Sequence, residues 1–141
     1  MDYGQDLAGS ARRHMRAASV LFGEDSAGAQ PGCKAVAGYL FGLSGELAVK
    51  EIMRASGMRP LPATQRYDDP FYAHFPYIKT LLRDNAKGRR AGELLSLAED
   101  GSLFQDWNTD MRYGPTAKIS EASVTRWKQS AEDLLERMSL P

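Results

Sequence analysis

Residues 37–53 read AGYLFGLSGELAVKEIM, and their reading decides the fold. Val36, Leu40, Leu43 and Leu47 recur at helical spacing and form one stripe, while Tyr39, Val49, Ile52 and Met53 carry apolar surface well round the cylinder. A helix that is apolar over most of its circumference belongs at the centre of a bundle. The pattern predicts a helix from about Cys33 to Ser56, with Gly57 as its stop. Gly38, Gly42 and Gly45 lie inside it. Each glycine costs about 1 kcal/mol relative to alanine in a helix interior, so three on one helix predict that another backbone approaches closely along that face.

Working outward, Leu7, Ala11, Met15, Ala18 and Phe22 predict a first helix over 5–22, ended by Gly23. The stretch GEDSAGAQPG (23–32) reads as a loop. MRPLPATQRYDDPFYAHFP (58–76) has four prolines in nineteen residues and reads as a long ordered loop or a flap. Ile78, Leu81 and Leu82 predict a helix over 75–87, and Ala91, Leu94, Leu95 and Ala98 a short one over 89–99. Ser120 caps the last helix, whose stripe runs Val124, Trp127, Ala131, Leu134, Leu135 and Met138. No segment alternates with period two. The expectation is one all-α domain over 1–141, a bundle of four main helices and one short one.

Composition narrows the function classes. Eighteen basic residues balance eighteen acidic ones, so binding to nucleic acid or a membrane must rest on a local patch. Cys33 is the single cysteine, which excludes an internal disulfide and any CxxC zinc site and points to a reducing, cytoplasmic setting. The longest charge-free run, 35–45, is too short to span a bilayer. Phosphate-loop, HExxH and GxSxG motifs are absent, so no metal and no cofactor are expected. A nucleophile pair of Cys33 with His14 or His74 has no local support. In RRHMR (12–16) the arginines read as solvated charge or as a small anion patch, and His14 as a histidine at the core edge.

Glu46 is more informative. It sits on the apolar central helix, where an unpaired carboxylate costs several kcal/mol. Its leading expected partners are Lys50, one turn on, Arg112 and Tyr113, with His74 a further one from across the bundle. His74 opens HFPYIKTLL (74–82), either capping backbone N–H groups or serving as an acid–base group in a groove. In WNTDMRYGP (107–115), Trp107 is expected to plug the bundle end and Arg112 to turn inward toward Glu46 or the His74 end of its helix, with Tyr113 packed beside it.

In order along the chain, these residues resemble the HEPN (higher eukaryote and prokaryote nucleotide-binding) family. Ala37, Gly38, Tyr39, Leu40, Gly42, Glu46 and Lys50 match the A-G-Y-L-x-G-x-x-x-E-x-x-x-K central helix of many bacterial members; His74 to Leu81-Leu82 and Trp107 with Arg112-Tyr113 are similar to later family elements. The resemblance spans about residues 8–138. It implies a HEPN-like helical bundle, often a homodimer, and in many members a ribonuclease toxin or the partner of a small nucleotidyltransferase. Family ribonucleases carry an Arg, four to six residues and a His; here Arg66 and His74 have seven residues between them, Pro70 among these. The resemblance thus implies catalysis by His74, Arg112 and Glu46, with Tyr113, Lys50 and Arg66 in binding. Two functions follow: an RNA- or nucleotide-handling protein in defence or stress with weak or absent ribonuclease activity, or a non-catalytic helical dimer whose polar cluster is structural. The glycine face of the central helix, or a surface adjoining it, is the expected dimer interface.

Overall fold

The computed structural model describes residues 3–23 and 30–141; most of the loop expected at 23–32 lies outside them. Among the described residues are five α-helices: α1 (Leu7–Phe22), α2 (Pro31–Ala55), α3 (Tyr77–Asn85), α4 (Ala91–Glu99) and α5 (Glu121–Met138). Short 3-10 turns fall at Ala63–Asp68, Thr109–Tyr113 and Thr116–Lys118, and no strand occurs among the described residues. The fold is an all-α bundle. None of these helices is long and apolar enough to cross a membrane.

α2 is the axis, as its sequence predicts. It begins at Pro31, two residues before the expected start, because proline suits a first helical turn. α1 packs along one side of it and α5 along another, while α3 and α4 pair with each other. Asp6 starts α1 by accepting from the Gly9 N–H at 2.8 Å, and Ser120 starts α5 by accepting from Ser123 at 3.1 Å. α3 starts at Tyr77 rather than 75, and α4 at Ala91 rather than 89.

Burial round α2 is uneven, and the expected backbone approach at its glycines is corrected. Its inward face is the small-residue one: Ala37, Gly38, Phe41, Gly42, Ser44, Gly45 and Ala48 are buried, whereas Leu40, Leu43 and Leu47 are half-buried and Val36 is exposed. The leucines pack against the edge of the core, and the closest packing uses side chains with little surface of their own. Backbones do approach each other, but on the α1 side, where the Ser44 hydroxyl donates to the Ala11 carbonyl at 2.7 Å.

The glycines admit rings instead. A β-carbon at Gly42 would collide with the Trp107 indole, at Gly45 with the Phe104 ring, and at Gly38 with Trp127 and Val124. These rings come from the 100–107 turn and from α5. Phe104 and Asp106 take left-handed backbone conformations, φ +52° and +68°, which cost a non-glycine residue about 1–3 kcal/mol. Asp100 steadies the turn by accepting from the Ser102 N–H and hydroxyl. The Trp107 indole N–H donates to the Gly38 carbonyl at 3.0 Å and that of Trp127 to the Gln105 carbonyl at 2.9 Å. Trp107 is thus the expected plug, 1% exposed. The glycine face is filled within the subunit and presents nothing to a second copy, so the dimer interface expected on that face itself is not there.

Substituting Gly42 with alanine is expected to lower stability by about 1–3 kcal/mol through overpacking, despite alanine's higher helix propensity. Gly92 in α4 faces open space, and its replacement by alanine is expected to raise stability by up to about 1 kcal/mol. Urea unfolding midpoints of the two variants check the pair; equal signs would refute the ring-seating account.

Candidate functional site

The chain leaves α2 at Ser56 and returns to helix at Tyr77, crossing the bundle in a strap. Its proline-rich sequence cannot sustain an α-helix, yet the strap is well held. Met58, Ala73 and Phe75 are buried in the core. Asp69 is buried and its two carboxylate oxygens accept the Leu61 N–H at 3.0 Å and the Phe71 N–H at 2.9 Å. The 3-10 turn Ala63–Asp68 fills the middle. The segment is therefore ordered structure, the first of the two forms its composition allowed.

Glu46 anchors the end of the strap. Its carboxylate is buried, as expected, but its partners differ from the leading candidates. One oxygen accepts the Phe75 N–H at 2.9 Å, and the other lies 3.0 Å from His74 Nδ1. His74 caps no helix with its ring; its carbonyl accepts from Ile78 at the start of α3. Lys50 is half-buried on the next turn of α2 and makes no hydrogen bond to Glu46. Desolvation lowers its pKa, with the charges of Glu46 and Asp69 opposing that shift. Lys50 thus contributes as a neighbouring charge between two buried carboxylates.

Beyond the dyad, His74 is half-exposed and lines a cleft of about 310 Å³ with Arg66, Tyr67, Tyr72, Tyr77, Asn108 and Thr109. With Nδ1 held by Glu46, Nε2 is the ring nitrogen without a protein partner among the described residues. Arg66 stacks over the Tyr72 ring, 5.1 Å from its centre, and points one guanidinium nitrogen at the Tyr72 hydroxyl, 3.4 Å away. Arg66 and His74 therefore share one cleft despite the long spacing between them, because the 3-10 turn and the Asp69-pinned bend fold the intervening residues back.

Arg112 and Tyr113 do not join them. Arg112 is exposed; it donates to the Tyr39 hydroxyl at 3.4 Å and sits 4.7 Å over the Tyr113 ring, which is 77% exposed. The expected inward turn toward Glu46 is corrected: the backbone N–H of Phe75 and the His74 ring already satisfy that carboxylate. Between the two places stand Tyr39, stacked on Trp107 at 5.6 Å, and Phe75, edge-on to Trp107 at 6.5 Å.

The sequence reading missed Tyr67, Tyr72 and Tyr77. Their even spacing of five residues in a proline-rich stretch was the signal available. Cys33 is a free thiol and bonds neither histidine. His14 Nδ1 lies 2.8 Å from the Ser10 carbonyl, and among the described residues Arg12 and Arg13 bond only serines. No three His, Cys, Asp or Glu side chains cluster to hold a metal among the described residues. Comparison with protein-family models, curated proteins and solved structures returns no match.

Burial outweighs the bonds from His74 and Phe75 and raises the Glu46 pKa above the ordinary 4.5. A carboxyl that holds its proton more tightly folded than unfolded favours the fold below its unfolded pKa, and that contribution is lost as pH rises through the folded value. The stability of the parent relative to Glu46→Gln is therefore expected to fall as pH rises above the ordinary value of 4.5, read by urea unfolding; a rise in that direction would refute it. Glu46→Ala, which strips the buried Phe75 N–H of its acceptor, is expected to cost about 1–3 kcal/mol at neutral pH.

Proposed function

We propose that the cleft binds a nucleotide unit, free or within single-stranded RNA, and that His74 acts on its phosphate as a general acid–base group. The observation that carries this is the division of the His74 ring: Glu46 holds Nδ1 from the core, and the opposite edge lines a cleft shared with a guanidinium and three phenol rings. Each part has a role in such chemistry. A fixed imidazole with one nitrogen spare can take a proton from an attacking hydroxyl and return it to a leaving oxygen. Arg66 supplies planar, permanently charged donors suited to a phosphate. Tyrosine faces at the rim offer stacking to a base, worth about 1–3 kcal/mol per base. Glu46 acts through His74 and is a positioning residue.

This reading agrees with the HEPN-like resemblance in substrate class but assigns the phosphate cation to Arg66 rather than Arg112. Activity is expected to be slow, since one histidine serves as both acid and base and net charge gives no long-range attraction.

A second reading has its own support. The half-buried Leu40, Leu43 and Leu47 with exposed Val36 form an apolar ridge on α2, adjoining the filled glycine face. On that reading the chain self-associates through the ridge and the dyad only pins the strap.

Incubation with labelled single-stranded RNA and a nucleotide panel tests the first reading. His74→Ala is expected to lower any cleavage rate by about 10²–10⁴-fold, and Arg66→Ala to weaken binding with little change in fold. Absence of binding across the panel, or identical behaviour of the His74→Ala protein, would leave the second reading standing.

A further inference from the structure

Arg112 is one of the residues singled out by the sequence that the cleft does not use, and its surroundings are those of a second site. Two arginines are tied to acids, Arg54 to Glu51 and Arg90 to Glu93, while Arg66 and Arg83 bond neutral oxygens. Arg112 has no carboxylate within ion-pair distance among the described residues. Its company is aromatic, the Tyr39 hydroxyl at 3.4 Å and the Tyr113 ring at 4.7 Å. A guanidinium has five N–H donors; one is directed at Tyr39, and the cation lies over the Tyr113 ring.

Arg112 also lines a pocket of about 160 Å³ between the first turns of α2 and the 109–119 segment. Ala35, Val36, Met111 and Ile119 give it apolar walls, and Tyr39 and Thr116 bring hydroxyl-bearing side chains. Both walls are preformed. The Asn108 side chain accepts the Asp110 N–H at 2.8 Å and starts one 3-10 turn, Gly114 N–H closes it on the Met111 carbonyl, and a second turn closes from Ile119 to Thr116. On the helix side, Lys34 is bonded to Glu121 at 2.9 Å, which ties the start of α2 to the start of α5. The Tyr39 ring, stacked on the buried Trp107, forms the end toward the core.

We infer that this pocket is a binding site for a small carboxylate with a ring-sized apolar body, held by Arg112. The charge of the guanidinium selects an anion, and its planar fork matches a carboxylate with two parallel N–H···O bonds. Volume sets the rest of the ligand: an apolar cavity of about 150 Å³ admits one benzene-sized body. Val36 then gains an occupant for a side chain that is otherwise half in water. The site is separate from the His74 cleft, whose lining shares none of its residues, and the inference stands whether or not the cleft handles nucleotides.

The test is an NMR titration of the full chain with benzoate, benzamide and inorganic phosphate, following the backbone amides of Gly32, Ala35, Gly114 and Thr116. Benzoate is expected to move these signals saturably. Neutral benzamide, and benzoate on the Arg112→Gln protein, are each expected to bind at least about tenfold more weakly, the loss of one charged hydrogen-bonded pair. Arg66→Gln is expected to leave the benzoate affinity unchanged. An unaltered spectrum away from residue 112 shows that Arg112→Gln is folded, and its exposed position makes that the expected result. Benzamide binding as tightly as benzoate, no loss in Arg112→Gln, shifts centred on His74, or the absence of saturable shifts would each overturn the proposal. Inorganic phosphate binding as tightly as benzoate would overturn it too, since the apolar walls would then contribute nothing.

Discussion

Everything in this fold is arranged round aromatic rings seated on bare backbone. Trp107 and Phe104 occupy the notches at Gly42 and Gly45, and Trp127 packs on Gly38. Gly38 is a partner twice over, since its carbonyl accepts the Trp107 indole. The helix accepts weaker propensity at three positions in return for close contact with large surfaces, each burying about 150–250 Å². The turn that delivers two of those rings needs left-handed backbone at Phe104 and Asp106. Ring seating also fixes the loop that follows, so the positions of Asn108, Thr109 and Arg112 derive from it.

Glu46 extends the same axis into the site. It lies one turn beyond Gly42, so the helix face that receives Trp107 also aims the carboxylate at the strap. Phe75, packed 4.9 Å from Phe104, brings its N–H to that carboxylate and carries His74 with it. Structural and chemical roles are thus joined in one side chain. The oxygen on Phe75 holds the strap, and the oxygen on His74 sets which ring nitrogen faces the cleft.

Much of the bundle was legible because α2 and α5 are long and strongly patterned, and because Trp107 is too large to leave in water. What was not legible has a common cause. Periodicity ranks residues by hydrophobic surface, so leucines drew the eye while alanine, glycine and Ser44 took the tightest contacts. A glycine notch can be read from sequence, but whether a backbone or a ring fills it depends on distant residues. Likewise, a buried Glu46 demands partners, and side chains of opposite charge are the obvious ones to name. A backbone N–H 29 residues on cannot be seen in residue types, and once it is present Arg112 has no reason to turn inward. His74 and Arg66 were recognisable as chemistry, whereas the tyrosine rim needed the strap's path before the rings came together.

The two tryptophans give the molecule an optical property of its own. Both indoles are buried, at 1% and 4% exposure, and both N–H groups are bonded to carbonyls. They share the 100–107 turn, one as its last residue and the other through the Gln105 carbonyl. Intrinsic fluorescence of the folded chain therefore originates almost wholly beside that one turn. Its emission is that of an apolar surrounding, shielded from aqueous quenchers. Events confined to the outer rim of the strap leave that signal nearly silent, while undocking of the turn from α2 shifts it to the red.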